Sequence, residues 1–191
     1  MANPWPTTLY LLTTLLDCSM HFDSSMTPKI NVKFLLSHPA HFISLGLGTG
    51  LSPKAPGTVG TLWAWVSWLL VHDHLTSSEQ GLLIFLATLI GCWSAKITTE
   101  HLGIADPGAV VWDEVVAFWA VLWLLMPSSF SAQLVAFLLF RFFDAVKPPP
   151  VGWADQVFKG FGWRGAWGIY FDDFVAAFCT LFVMALGIRI F

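Results

Sequence analysis

Residues 110–126 read Val-Val-Trp-Asp-Glu-Val-Val-Ala-Phe-Trp-Ala-Val-Leu-Trp-Leu-Leu-Met, an apolar run whose charged side chains are only Asp113 and Glu114. Four further apolar runs lie at 59–71, 81–95, 132–146 and 174–191. The residues in these runs do not alternate between apolar and polar, as they would in half-buried strands. The sequence therefore predicts an all-α fold, a compact bundle of about five to six hydrophobic helices.

The composition indicates an integral membrane protein. Hydrophobic residues make up 56% of the 191 positions and charged residues 11%, whereas soluble domains carry about 25% charged residues. The net charge of −3 and the lack of basic runs exclude a nucleic-acid partner of the usual electrostatic kind. We expect the bilayer itself to surround the bundle, and no obligate protein partner is evident.

The basic residues predict how a multi-pass chain would be oriented. Lys and Arg lie before the first apolar run, between the second and third, and between the fourth and fifth. The segments 72–80 and 127–131 contain neither. Because basic segments stay on the cytoplasmic side, the N-terminus and the basic loops are predicted to face the cytoplasm.

Five acids lie in or beside the apolar runs, where a charge is costly unless it has a function. They are Asp113, Glu114, Asp144, Asp172 and Asp173, of which the last two are expected to lie just before the last helix. The predicted orientation brings all five to the cytoplasmic face, although only Lys and Arg were used to derive it. Clustered carboxylates repel one another unless a cation neutralises them, and all-oxygen ligands suit Mg²⁺. The alternative is that these acids simply pair with Arg141, Lys147 or lipid amines.

Arg141, Asp144 and Lys147 follow an i, i+3, i+6 spacing, which predicts one shared helix face. We expect Arg141 to hold Asp144 while Lys147, followed by three prolines, contacts a phosphate, and Arg141 is itself a further candidate phosphate contact. The alternative is an intrahelical ion pair and a lysine that extends to the interface. Asp155 is expected to be solvated in a loop.

Residues 46–61 read Gly-Leu-Gly-Thr-Gly-Leu-Ser-Pro-Lys-Ala-Pro-Gly-Thr-Val-Gly-Thr, a Gly/Pro-rich loop before the first long helix. Glycine-rich backbone at a helix N-terminus can bind an anion. The candidate phosphate contacts in this loop are Thr49, Gly57, Thr58 and Thr61. The order of residues excludes a P-loop, and an ordinary turn is the alternative.

Four blocks together resemble the phosphatidylglycerophosphatase A family. The blocks are 50–60, 111–114, 140–148 and 168–173, and His41 also occupies a family-like position. The resemblance implies an all-helical integral membrane enzyme of the bacterial inner membrane. It further implies Mg²⁺-dependent hydrolysis of the lipid phosphatidylglycerophosphate to phosphatidylglycerol and phosphate. The five acids become the implied metal-binding and catalytic residues.

The resemblance covers residues 38–185, so 38–191 is predicted to be the helical membrane domain. Residues 1–37 are predicted to be a variable, poorly ordered extension, or an over-called start in which 1–25 are dispensable. Two other classes of function remain open. A small transporter or proton-linked carrier would place acids near mid-membrane, on both sides of a gate. A non-catalytic assembly protein would leave the carboxylate cluster without a purpose.

Overall fold

A computed structural model describes residues 28–190, with side chains through Gly187. Within this range all regular secondary structure is helical, which confirms the all-α class. The predicted dispensable segment 1–25 lies outside the described residues.

The described chain has two short N-terminal helices, five long helices and one short helix between the last two long ones. They are α1 (Val32–Ser37), α2 (Pro39–Ser44), α3 (Pro56–Val71), α4 (Ser77–Leu102), α5 (Trp112–Leu125), α6 (Phe130–Val146), α7 (Val151–Val157) and α8 (Gly162–Ile190). A 3₁₀ segment, Gly46–Leu51, lies between α2 and α3. The Gly/Pro-rich stretch precedes the first long helix only over residues 46–55, because its last six residues, 56–61, form the start of α3.

Local sequence signals account for several helix ends. The Thr76 hydroxyl accepts a hydrogen bond from the Glu79 backbone, and Glu79 Oε2 accepts one from the Thr76 backbone at 2.8 Å. This reciprocal pair satisfies two amides at the start of α4. Gly103, with a φ of 66°, ends α4 in the left-handed conformation that glycine adopts without steric cost. Ser129 caps the start of α6.

Helix α5 lies at the centre, packed against α3, α4 and α8. Its Phe118 is fully buried and meets the rings of Trp65, Phe137 and Phe140. Buried indole N–H groups need acceptors, and Trp65 Nε1 donates to Gln133 Oε1 at 2.7 Å. The core is therefore aromatic and joins α3, α5 and α6.

Two helices are much longer than the apolar runs that predicted them. Helix α4 extends the 81–95 run at both ends, and α8 begins at Gly162 rather than near residue 174. The expectation that Asp172 and Asp173 precede the last helix is therefore wrong, because both lie inside it. The early turns of α8 pack so closely on the preceding turn that a Cβ at Gly168 would lie 2.3 Å from the Phe158 carbonyl oxygen. Hydropathy cannot detect such backbone packing.

The two segments without Lys or Arg meet at one end of the bundle. Residues of 72–80 and of the α5–α6 connection line a shared cavity of about 590 Å³ at this end. Trp123 Nε1 donates to Ser77 Oγ at 3.2 Å across it. Of the acids described below, Asp113, Glu114 and Asp144 lie at the opposite helix ends, and Asp172 and Asp173 lie inside α8. The antiparallel arrangement therefore separates the acids from the segments without Lys or Arg, as expected.

The outward faces of the long helices are apolar. Leu70 and Phe178 are 68% and 67% exposed, and many other large apolar side chains are exposed on these helices. Within the described residues, two helical stretches, 77–102 and 162–187, are long and apolar enough to cross a bilayer. Extensive apolar surface of this kind is rare on soluble monomers and favours a lipid environment.

The N-terminal helices are attached to the bundle by buried contacts. Leu35 of α1 packs with Leu45 and Ala109. His41, 2% exposed, lies between Thr98 Oγ1 at 3.0 Å and His101 Nδ1 at 3.1 Å. Burial, with His101 and then His38 nearby, lowers the pKa of His41 to about 4, so the ring is neutral at pH 7. The predicted boundary at residue 37 falls at the end of α1.

Candidate active site

The five predicted acids all line one cavity of about 130 Å³, here called the carboxylate cavity. They come from three helices that are far apart in sequence. Lys147, Asp106, Gly108, Val110 and Ile169 complete its wall. The structure therefore brings together acids separated by up to sixty residues of chain.

Three of the five acids lie at the end of a helix, whereas Asp172 and Asp173 lie inside α8. Asp113 and Glu114 lie in the first turn of α5, where the partial positive charge of the helix N-terminus stabilises carboxylates. Asp144 lies in the last turn of α6, where the helix dipole disfavours a negative charge. A cation must offset that effect, and Arg141 lies one turn earlier.

Arg141 connects three elements through one nitrogen. Its Nη1 lies 2.6 Å from Asp144 Oδ2 and 3.1 Å from Glu114 Oε1, and it donates to Thr61 Oγ1 at 3.3 Å. The guanidinium therefore links α6, α5 and α3 at the rim of the cavity. Its Nη1 is engaged by these groups, so a phosphate would have to share it with the acids.

Lys147 ends α6 in the left-handed conformation, with a φ of 49°. Its Nζ lies 2.6 Å from Asp172 Oδ2 and also binds Asp155 Oδ1. Burial alone would lower the pKa of Lys147, but the hydrogen bonds to Asp155 and Asp172 outweigh it and raise the pKa above its ordinary value. The ammonium is therefore charged at neutral pH on the wall of the cavity.

Asp155 is not the solvated loop residue that the sequence suggested. It lies in α7 and pairs with Lys147 and, at 2.7 Å, with Lys159. Helix α7 has only seven residues, too few to show a helical period, which is why it was interpreted as a loop. Its position against α8 turns Asp155 toward Lys147.

The Gly/Pro-rich loop reaches the site at one end only. Gly57 lies against Glu114, and the Thr61 hydroxyl donates to the Gly57 carbonyl at 2.9 Å while it accepts from Arg141. Thr58 is partly buried beside them. The Thr49 hydroxyl donates to the Gly46 carbonyl, and Thr49 is not among the residues of the cavity wall.

Replacement of Gly57 by alanine is expected to disturb the acids directly. A Cβ at this position would lie 2.0 Å from Glu114 Oε1, so the carboxylate must move and its contact with Arg141 must lengthen. We expect Gly57→Ala to destabilise the fold by about 1–3 kcal/mol, measured by thermal unfolding in detergent. Gly187→Ala, with open space around its Cβ, is the control. An equally stable Gly57→Ala protein would contradict the close approach.

The acids have the chemistry of a divalent-cation site. Asp113 Oδ1, Glu114 Oε2 and Asp173 Oδ2 are buried without a hydrogen-bond partner, and a hard cation would satisfy such oxygens. In residues 28–187, no three His, Cys, Asp or Glu side chains surround one point closely enough to hold an ion as they stand. The residue types therefore fit Mg²⁺, and binding would require the carboxylates to rotate toward it.

Asp106 is a wall residue that the sequence interpretation missed. It lies between α4 and α5 in the turn Ala105-Asp106-Pro107-Gly108 and is exposed at the cavity mouth. Because Asp106 lies outside the apolar runs, the hydropathy pattern does not mark it as a candidate acid. The Asp-Pro-Gly turn directly before Asp113 was the available signal.

Comparison with known proteins identifies the family. The phosphatidylglycerophosphatase A family model matches residues 42–188. Phosphatidylglycerophosphatase A of Escherichia coli is 34% identical over 82% of this chain and 84% of its own, and that of Haemophilus influenzae is 34% identical over 80% and 90%. A Bacteroides thetaiotaomicron protein, provisionally named phosphatidylinositol-3-phosphatase, is also 34% identical, over 76% and 91%.

No solved structure matches the chain. The family match nevertheless contains all five acids, Lys147 and the Gly57–Thr61 end of the loop. Both the match and the two bacterial relatives cover well over two thirds of the chain. This protein therefore belongs to the phosphatidylglycerophosphatase A family.

Proposed function

We propose that this protein hydrolyses phosphatidylglycerophosphate to phosphatidylglycerol and inorganic phosphate, with Mg²⁺, at the cytoplasmic face of a bacterial inner membrane. The observation that carries the proposal is the carboxylate cavity, whose lining includes five acids and a charged lysine, all within the family match. The names of the relatives support the substrate. The apolar outer surface and the basic segments support the location.

A phosphomonoester dianion repels a nucleophile, so the site must supply positive charge. Mg²⁺, when bound by some of the five acids, would neutralise and orient the phosphate. Lys147 would donate to a phosphate oxygen, and Arg141 would keep Glu114 and Asp144 in place.

The reaction breaks the bond between phosphorus and the glycerol oxygen. Asp113 and Asp173 are 8% and 3% exposed, and each has an unpartnered oxygen. Such an oxygen can accept the proton of an attacking water, or attack phosphorus itself and form an aspartyl-phosphate that water then hydrolyses. In either route the leaving glycerol oxygen takes up a proton, which originates from water, and becomes the hydroxyl of phosphatidylglycerol.

The position of the acids favours a phosphatase over a carrier. A carrier would need acids on both sides of a gate, whereas the five acids here line one shared cavity. The opposite end holds the segments without Lys or Arg.

The proposal is tested by phosphate release from mixed micelles that contain the purified protein and one lipid. We expect phosphatidylglycerophosphate to be hydrolysed at least about tenfold faster than phosphatidic acid, since contacts to a cognate headgroup are worth on the order of 1–3 kcal/mol. EDTA should abolish release and Mg²⁺ should restore it. Faster hydrolysis of phosphatidylinositol 3-phosphate would support the second substrate that the Bacteroides relative's name suggests. No release from any of the three lipids would contradict a phosphatase.

A further inference from the structure

Asp155 binds two ammonium groups, one on each of its carboxylate oxygens. Its Oδ1 accepts from Lys147 Nζ, and its Oδ2 lies 2.7 Å from Lys159 Nζ. Lys147 is part of the wall of the carboxylate cavity and Asp155 is not. Asp155 can therefore influence that cavity through the lysine that it holds.

Lys147 needs such a partner to keep a fixed position. It follows the last turn of α6, and its long side chain loses considerable rotamer entropy when it is held in one place. Two carboxylates hold the amine from different helices, Asp155 from α7 and Asp172 from α8. Asp172 is also a proposed cation ligand, and an ion bound there would weaken its hold on Lys147. Asp155 would then be the main anchor.

We propose that Asp155 is a positioning residue of this site, which holds the Lys147 ammonium at the cavity wall to bind an oxygen of the terminal phosphate. The inference rests on the proposed phosphatase function. Lys159 has a lesser part, since its side chain is 58% exposed and its i, i+4 pair with Asp155 is of the kind that contributes little.

A double-mutant cycle tests the proposal. We expect Asp155→Asn to lower kcat/KM for phosphatidylglycerophosphate about tenfold, mainly through KM, because Lys147 is no longer held toward the phosphate. Lys147→Gln should lower it at least as much. The double variant should be no worse than Lys147→Gln alone, because Asp155 acts through that amine.

Two control variants separate this role from a general loss of charge. Glu100→Gln removes the carboxylate partner of Lys96 and should leave kcat/KM within about twofold of the wild type. Lys159→Gln should also leave kcat/KM within about twofold of the wild type. Additive losses in the cycle, or a Lys159→Gln variant that reproduces the Asp155→Asn loss, would overturn the proposal.

Binding of inorganic phosphate, measured by calorimetry across the same variants, distinguishes the inference from the proposed function. One outcome is that the wild type releases no phosphate from the lipid while the phosphate affinity of the double variant equals that of Lys147→Gln. In that case the substrate is wrong and the role of Asp155 holds. If the wild type hydrolyses the lipid but the losses of kcat/KM and of phosphate affinity are both additive in the double variant, the function holds and the role of Asp155 is wrong. A wild type that neither hydrolyses the lipid nor binds phosphate overturns both.

Discussion

Asp113→Asn is expected to lower kcat for phosphatidylglycerophosphate by at least about 10²-fold, the scale of a lost acid–base or charge-stabilising group. The amide has nearly the same shape but can neither bind a cation as a carboxylate does nor accept a proton. Asp113 is 8% exposed, and one of its oxygens has no partner in the described structure. The replacement removes a buried charge beside Glu114, so the thermal stability should be unchanged or higher.

The combination of lost activity and retained stability separates a functional acid from a structural one. Asp73→Asn is the matched control, because Asp73 has a side chain that is 79% exposed at the opposite end of the bundle. Its activity should equal that of the wild type. Near-normal Mg²⁺-dependent phosphate release by Asp113→Asn would remove Asp113 from the site.

Arg141→Met is expected to destabilise the fold by about 3–5 kcal/mol, the cost of removing one partner from a buried ion pair. Arg141 is the cation bound to both Glu114 and Asp144, whose side chains are 14% and 11% exposed. Its loss leaves two carboxylates facing each other without compensation. Thermal unfolding in detergent, without divalent ions, measures the change.

A triple variant tests the cause of this loss. Arg141→Met combined with Glu114→Gln and Asp144→Asn removes the charges together, and it should recover most of the stability while remaining inactive. Arg164→Met, which removes an exposed arginine, is the control and should unfold as the wild type does. If the triple variant is as unstable as Arg141→Met, packing of the arginine stem rather than charge compensation explains the effect.

The positions of the acids show what local sequence patterns can predict about this site and what they cannot. Asp113, Asp144 and Asp173 were predicted to share the cytoplasmic face because the Lys and Arg residues gave the orientation of successive helices. The structure has them in one wall. The direction of each helix does not determine which side chains pair with one another. The binding of one Arg141 nitrogen to two acids and to Thr61 could therefore not be predicted.

What the sequence alone determined was the helical class, the apolar surface and the family, because these depend on composition, hydrophobic runs and the order of four motifs along the chain. Tertiary packing decided the start of α8, the existence of α7 and the partners of Lys147. In α8 the turns before Asp172 are rich in glycine, and their helical state depends on close contact with the backbone of residues 158–160. Packing also explains the position of Asp155. A seven-residue helix has too few residues to show a helical period in the sequence, but the packing of α7 on α8 brings the Asp155 carboxylate to Lys147 at the end of α6.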